Sequence, residues 1–260
     1  MAMKDNIATV SFLIIYLVII WVFIIKILIE NRKVIKEKGQ VWNFLFIGYI
    51  FLAFGDIFHL GFRIYMFFAN VPLDSDLAGN LFGYGYIITS ITMTYLYIEL
   101  FRAWRKIYGD HYSTSNKNFL YELIIDVAFI FRIVLLLNPY NHWFDYDPVW
   151  EFGFDFRILS ALPLYLIGII TVGLLFKDSR AEMQKSTGIN PDWNKANNKV
   201  SIWLIVSYAF YSITTFLVIY IPIAGMAMVP KTIAYLVALY YHYKYILKNK
   251  DNSIEKGDKN

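Results

Sequence analysis

The side chains of this chain best suited to chemistry lie in one apolar stretch, where Asp56, His59 and Arg63 are spaced i, i+3 and i+7. On a helix this spacing places all three on one stripe. A carboxylate beside an imidazole orients the ring and favours its protonated form, as general acid–base catalysis often requires. A buried structural network and a ligand-binding site use the same residue types. Asp56 and His59 are therefore catalytic candidates under one of three interpretations.

Lys231 is the second candidate, because it lies about one and a half turns into the last apolar stretch, directly after Pro230. A proline inside a helix bends it and frees backbone groups. Tyr235 follows one turn later on the same face. Three roles are open to such a lysine: an ion pair with Asp56 or Asp126, the binding of an anion, or a Schiff base with a carbonyl ligand.

Four cations lie within or at the edge of apolar stretches, all toward the same side: Arg63, Arg132, Arg157 and Lys231. An ionisable residue in a membrane span suggests function, because it is costly to insert. Asp56 and Asp126 lie deeper along their stretches, and we expect them beneath the cations. Convergence of the four would create an outward-facing basic pocket suited to a phosphate or an anionic headgroup. The predicted ligand-binding residues are Arg63, Arg132, Arg157, Lys231, Asp126 and Tyr235.

Seven long apolar stretches must position these side chains: residues 7–28, 43–68, 82–104, 119–137, 157–176, 200–222 and 226–247. Each is near the ~20 residues that cross a ~30 Å hydrocarbon core. Spans in lipid satisfy their own backbone hydrogen bonds, and the alternating ~10-residue segments of a β-barrel are absent. The chain is 58% hydrophobic and 19% aromatic, which is unusual for a soluble domain. We predict an all-α, polytopic bundle of seven transmembrane helices.

The positive charges predict the orientation of this bundle. Of 24 Lys and Arg residues, 19 fall in the segments 26–40, 102–118, 177–199 and 244–260, whereas 69–81 and 138–156 contain none. This alternation follows the positive-inside rule and predicts an outside N-terminus and a cytoplasmic C-terminus in the plasma membrane. Residues 1–248 are expected to form the membrane domain, and 249–260 a charged, disordered cytoplasmic tail.

Composition also excludes several kinds of site. The chain has no cysteine, and its four histidines are scattered, so neither a metal site nor a cofactor is predicted. The net charge of +4 comes mostly from the cytoplasmic-side cations and does not indicate nucleic-acid binding. The aromatic and acidic connection 138–156 is either an interfacial belt or a lid over an outward cavity. The Asn-rich connection 177–199 is predicted to be a solvated loop.

Two motifs resemble those of uncharacterised seven-helix membrane proteins of Gram-positive bacteria. The first is Gly55-Asp56 with Phe58-His59-Leu60 and Arg63, and the second is Gly225-Met226 with Pro230-Lys231-Thr232 and Ala234-Tyr235. The resemblance covers most of the spans and implies the fold and the topology, but no activity. The short segment around Lys231 is also similar to the retinal-binding helix of rhodopsins, without a matching counterion motif in the third span.

The predicted function is the binding or sensing of an anionic amphiphile or small anion in the outward-facing pocket. One alternative is a membrane-embedded lipid-modifying enzyme that uses Asp56 and His59 for acid–base chemistry. Another is an anion or proton-coupled transporter, although seven helices do not divide into equal inverted repeats. The expected ligand is a membrane lipid or an anionic small molecule. Any signal would require a protein partner at the cytoplasmic loops.

Overall fold

The computed structural model describes residues 7–32, 38–144, 156–185, 189–217 and 221–248. These ranges contain no strand, which confirms the all-α prediction. Each of the helices that are fifteen residues or longer overlaps one predicted apolar stretch. They are α1 (Ile7–Asn31), α2 (Gln40–Phe68), α3 (Asp76–Trp104), α4 (Ser115–Leu136), α5 (Phe156–Lys185), α6 (Pro191–Leu217) and α7 (Met228–His242).

Four of the described helices are long and apolar enough to cross a membrane: Ile7–Asn31, Gln40–Phe68, Ile158–Lys185 and Pro191–Leu217. The surface is apolar as well, since large side chains such as Ile15, Ile130 and Ile169 are more than half exposed. Extended apolar patches of this kind are rare on soluble monomers. The structure therefore supports a membrane protein.

Local sequence sets several helix ends. The hydroxyls of Ser75 and Thr114 each accept a hydrogen bond from the backbone N–H three residues later, at the starts of α3 and α4. Side-chain oxygens at this position satisfy a backbone donor that the helix leaves unpaired. Proline is the first residue of α6, where the absence of an N–H costs no helical hydrogen bond.

Helix α3 forms the centre of the packing, and most of its residues from Thr92 to Trp104 are buried. Glycines allow α2 to approach it closely. The hydroxyl of Thr89 donates to the carbonyl oxygen of Gly55 at 2.7 Å. A Cβ at Gly55 would lie only 1.9 Å from Oγ1 of Thr92 and 3.2 Å from Cα of Thr89. This close contact fixes α2, with its polar stripe, against α3.

We expect Gly55→Ala to destabilise the protein by about 1–3 kcal/mol, because the added methyl overpacks this contact. The matched control is Gly61→Ala on the same helix, where the nearest atom would lie 4.0 Å away. Thermal unfolding in detergent should show a lower midpoint for Gly55→Ala alone. Equal midpoints for the two variants would contradict the close packing of α2 on α3.

The segment 177–199 differs from the predicted solvated loop. Residues 177–185 continue α5, and residues 191–199 form the first turns of α6. Several of their polar side chains are almost fully buried: Asp178, Glu182, Asn194 and Asn197. The prediction was wrong because polarity was taken as a sign of solvation, whereas these groups hydrogen-bond to aromatic side chains inside the bundle: Trp104, Tyr108, Tyr112 and His242.

Candidate functional site

The stripe on α2 faces the interior, as its spacing predicts. Asp56 and His59 are buried, and Arg63 is partly buried one turn further along. The Tyr16 hydroxyl of α1 donates to Oδ2 of Asp56 at 2.5 Å. A hydrogen bond to a carboxylate is among the stronger ones in proteins, so it fixes the side chain and ties α1 to α2.

The expected pairing of Asp56 with His59 is not found. Among the described residues, Tyr16 is the hydrogen-bond partner of Asp56, and the His59 ring packs instead against Tyr86, with ring centroids 5.0 Å apart. The physical reason is geometric: positions i and i+3 share a stripe, but Asp56 points toward α1 while His59 points toward α3. The acid–base hypothesis therefore lacks the contact on which it was built.

A column of aromatic rings leads from His59 toward the connection 138–156. Tyr86 lies between His59 and Trp143, and the Tyr86 and Trp143 ring centroids are 6.0 Å apart. The Trp143 indole N–H donates to the carbonyl oxygen of Leu136 at 2.8 Å, which anchors the start of the connection at the end of α4. The acidic residues at 145, 147, 151 and 155 lie outside the described residues. The described part of the connection thus packs over the N-terminal part of α3.

Lys231 is buried, with only 6% of its surface exposed. Its Nζ lies 3.6 Å from Sδ of Met93 and 4.8 Å from the centre of the Tyr211 ring. A second ring, that of Tyr235, is 5.8 Å away. Aromatic faces attract a cation more strongly where water is excluded. Lys231 therefore sits in an environment of sulfur and aromatic rings, with α3, α6 and α7 around it.

An ion pair of Lys231 with Asp56 or Asp126, one of the three roles open to it, is absent from the described part of the chain. No carboxylate oxygen there lies within 4.0 Å of Nζ. Asp56 and Arg132 are nonetheless within electrostatic range of the ammonium, and so is His59. Desolvating a charge costs several kcal/mol unless other groups compensate it. The positive charge of Lys231 is therefore not neutralised by direct contact with Asp56.

Arg132 is almost completely buried and bonds to neutral oxygens. Its Nε donates to Oγ1 of Thr94 at 2.7 Å, and its Nη1 donates to the carbonyl oxygen of Ser160 at 2.5 Å. These bonds connect α4 to α3 and α5. The Tyr211 hydroxyl is a further partner. All three acceptors are neutral, and the guanidinium has five donor hydrogens, so its charge is not neutralised and donors are left for other acceptors. Arg132 therefore has both a structural contact and an available charge.

One predicted site residue, Asp126, stands apart from this group. The side chain of Asp126 is exposed on α4 instead of lying beneath the cations. The sequence could not fix the rotation of α4, and a six-residue separation places Asp126 and Arg132 about 120° apart on the helix. Arg132 takes the buried side and Asp126 the outward one. The Arg157 side chain lies outside the described residues.

Apart from Tyr235, which was predicted, sequence reasoning missed the tyrosines that line the site. The hydroxyls of Tyr97 and Tyr235 are 2.9 Å apart, and the Tyr97 and Tyr208 rings are centred 5.1 Å apart. Tyr208 in turn donates to the carbonyl oxygen of Leu164 at 3.1 Å. Tyr16 carried a usable signal, because it occupies the same three-to-four-residue spacing as the buried side chains of α1. Tyr97 and Tyr208 carried none, since tyrosine is abundant throughout the chain.

A second buried polar network occupies the other half of the bundle. His242 is fully buried, with Nδ1 at 2.8 Å from the Tyr49 hydroxyl and Nε2 at 3.1 Å from Oδ1 of Asn197. Nδ2 of Asn197 donates to the Tyr108 hydroxyl, which donates to Oδ1 of Asn194. An amide oxygen only accepts, so the neutral His242 ring must carry its proton on Nε2 and accept from Tyr49. Hydrogen bonds run in one direction through the whole network.

The structure offers two further observations on ligands. Among the described residues no group of three or more His, Asp or Glu side chains is placed to hold a metal ion. An apolar groove of about 610 Å³ lies between α4 and α5, lined by residues that include Val127, Phe131 and Pro163. The groove opens on the exposed side of the two helices, and no charged residue lines it. It belongs to the exposed surface of the two helices, whereas the Arg132 side chain of α4 is buried on the interior side.

Comparison with known proteins adds no family to this description. No protein-family model matches the chain, and neither a curated protein nor a solved structure gives a significant match. The function must therefore be argued from the geometry of the buried polar residues.

Proposed function

We propose that the protein is a multi-pass protein of the plasma membrane in which all seven helices span the bilayer. The N-terminus lies outside and the C-terminus in the cytoplasm. Four helices that are apolar enough to span support this, together with the alternation of basic and non-basic connections. Of the other three helices, α7 is fifteen residues long, and short helical turns at 222–227 and 243–247 extend it at both ends. Helices α3 and α4 contribute several of the buried polar groups, which lowers their hydropathy. Polar residues inside a bundle do not prevent a helix from spanning.

This topology predicts that a reporter fused after residue 250 is active only in the cytoplasm, while one inserted at residue 145 is active only outside. Because the chain contains no cysteine, single-cysteine variants at the same sites give an independent readout. A membrane-impermeant maleimide should label Asp145→Cys in intact cells. Labelling of that position only after permeabilisation would reverse the proposed orientation.

We infer that the bundle binds an anionic amphiphile or small anion in an outward-facing pocket formed around Lys231. The observation that carries the proposal is the charge balance of the interior. Lys231 and Arg132 are both buried and lie within electrostatic range of each other. Among the described residues, the buried carboxylate within range of Lys231 is Asp56, whose Oδ2 already accepts from Tyr16. Two buried cations with one carboxylate leave an excess of positive charge, and an additional negative charge would stabilise it.

The surroundings favour a ligand with a phosphate-like or carboxylate group and an apolar body. Arg63 and Lys231 both lie in electrostatic range of His59, and in the proposed topology Arg63 is on the outer side of the bilayer. Arginine binds phosphate and carboxylate oxygens in a bidentate fashion. The rings of Tyr211 and Tyr235 beside the ammonium supply apolar surface for the rest of the ligand. A membrane lipid or an anionic metabolite has this chemistry, and a cytoplasmic protein partner would receive any signal.

Native mass spectrometry of the purified full-length protein tests this proposal. The probes are phosphatidylglycerol, phosphatidylcholine and inorganic phosphate, each titrated separately. We expect retention of phosphatidylglycerol or phosphate, and weaker retention of phosphatidylcholine. Binding of phosphate alone would identify a small-anion site, whereas binding of phosphatidylglycerol alone would identify a lipid site. Equal retention of anionic and zwitterionic lipid, with no phosphate bound, would contradict the proposed pocket.

A further inference from the structure

Asp126 is the charged side chain of α4 whose position the anion pocket does not explain. It is exposed, and it makes no hydrogen bond or ion pair with any described residue. Nine residues separate it from Lys117 and twelve from Asn138, or about 14 Å and 18 Å at the helical rise of ~1.5 Å. In the proposed seven-span topology, this places a carboxylate near the middle of the bilayer.

The surroundings of Asp126 on the helix are strongly apolar. Positions three before and four and eight after it lie on the same stripe, and each carries a large exposed apolar side chain. With Phe119, one turn further, these residues are between 48% and 65% exposed: Phe119, Leu123, Ile130 and Val134. Acidic residues in spans almost always face a protein interior or a partner, because lipid cannot solvate them. The carboxylate therefore marks this stripe as a surface that another protein covers.

We propose that the stripe Phe119–Leu123–Asp126–Ile130–Val134 on α4 is a docking site for a transmembrane helix that carries a lysine or arginine at its centre. The inference rests on the proposed spanning of α4. Complementary charge determines the occupant: an ammonium or guanidinium opposite Asp126 neutralises it where water is absent. The apolar residues above and below supply the packing that holds transmembrane helices together.

A second copy of this chain fits the stripe less well. A twofold dimer places the same patch of each subunit against itself. Two Asp126 carboxylates would then meet at the same depth in a medium of low dielectric, where like charges repel strongly. Glu122 does not resolve this, because it already pairs with Arg105. A basic partner helix is the occupant whose charge matches the surface.

Energy transfer in phosphatidylcholine vesicles tests the proposal. The full-length protein carries a donor on a single cysteine introduced by Ser253→Cys. The acceptor is carried by one of two model transmembrane peptides of leucine and alanine. The arginine peptide has one arginine at its centre, and the methionine peptide has methionine at the same position. We expect energy transfer to reach half-saturation at a peptide-to-lipid ratio at least fivefold lower for the arginine peptide than for the methionine peptide. Asp126→Asn should remove this preference, and Asp126→Glu should retain it.

Three outcomes would overturn the docking site. The two peptides could bind wild type equally, or the preference could survive in Asp126→Asn. The third outcome is that energy transfer between two labelled copies of the protein exceeds transfer to the arginine peptide, and that Ile130→Ala abolishes the transfer between copies. That result would identify a second copy as the occupant.

A labelling control separates these results from a failure of the topology. A membrane-impermeant maleimide that modifies Ile130→Cys in intact or opened vesicles would show that α4 does not span, and the seven-span proposal would fall. Protection of Ile130→Cys without any arginine preference would refute the docking site alone.

Discussion

Replacing Lys231 with methionine is expected to weaken the binding of an anionic ligand at least tenfold while leaving the fold intact. The reason is that a hydrogen bond to a charged group contributes about 1.5–3 kcal/mol, and about 1.4 kcal/mol corresponds to a tenfold change in affinity. Methionine has a similar length and suits the apolar surroundings of Met93 and Tyr211. The measurement is titration with phosphatidylglycerol or phosphate, whichever the wild type binds.

The matched control is Lys244→Met, which removes a lysine that is exposed near the other end of the same helical segment. This variant should bind the ligand as wild type does. Equal losses in the two variants would indicate a general effect of net charge and not a pocket at Lys231. Loss at Lys231 alone would place the ligand beside it.

Stability measurements distinguish ligand binding from a structural role of the lysine. If Lys231 served only as the counterion of Asp56, its removal would strand a buried carboxylate at a cost of about 3–5 kcal/mol. Adding Asp56→Asn would then restore the lost stability. Since no ion pair within 4.0 Å joins the two and Tyr16 bonds to Asp56, we expect a small loss and no restoration. A large loss that the double variant restores would require the anion pocket to be abandoned.

Hydropathy sufficed to predict the helices, because each overlaps an apolar stretch of about 20 residues, the length that a bilayer requires. The stripe on α2 was predictable for a related reason: its three polar residues share one face, and only the interior accommodates them. Helical periodicity fixes which side chains of one helix lie together. It does not fix how far that helix is rotated, or which neighbours it meets.

The residues that the sequence misplaced show this limit. Asp126 and Arg132 are on the same helix with different orientations, and spacing alone could not decide which of them faces inward. Asp56 was expected to bond to His59 and bonds to Tyr16 instead, since the nearest donor comes from another helix forty residues away. Contacts between helices depend on packing, and a single sequence carries little information about packing. The tyrosine cluster around Lys231 is of this kind.

The largest loss of stability is expected for His242→Ala, at about 3–5 kcal/mol. The substitution opens a cavity in a fully buried site and removes the ring from both of its hydrogen-bond partners. It leaves Oδ1 of Asn197 and the Tyr49 hydroxyl without hydrogen bonds, and an unsatisfied buried polar group costs about 1–3 kcal/mol. Chemical or thermal unfolding in detergent gives the measurement. His111→Ala, at an exposed position, is the matched control and should change stability by less than about 0.5 kcal/mol.

The direction of hydrogen bonding in this network can be tested by comparing its two ends. Tyr49→Phe removes a donor and leaves Nδ1 of His242 without its partner, so we expect a loss of about 1–2 kcal/mol. Asn197→Ala removes the acceptor for Nε2 and the donor to Tyr108, and should cost more. In a double-mutant cycle, His242→Ala and Asn197→Ala should show a coupling of about 0.5–3 kcal/mol, because they share one hydrogen bond. Additive losses would mean that the two side chains act independently, and that the network does not hold α6 and α7 together.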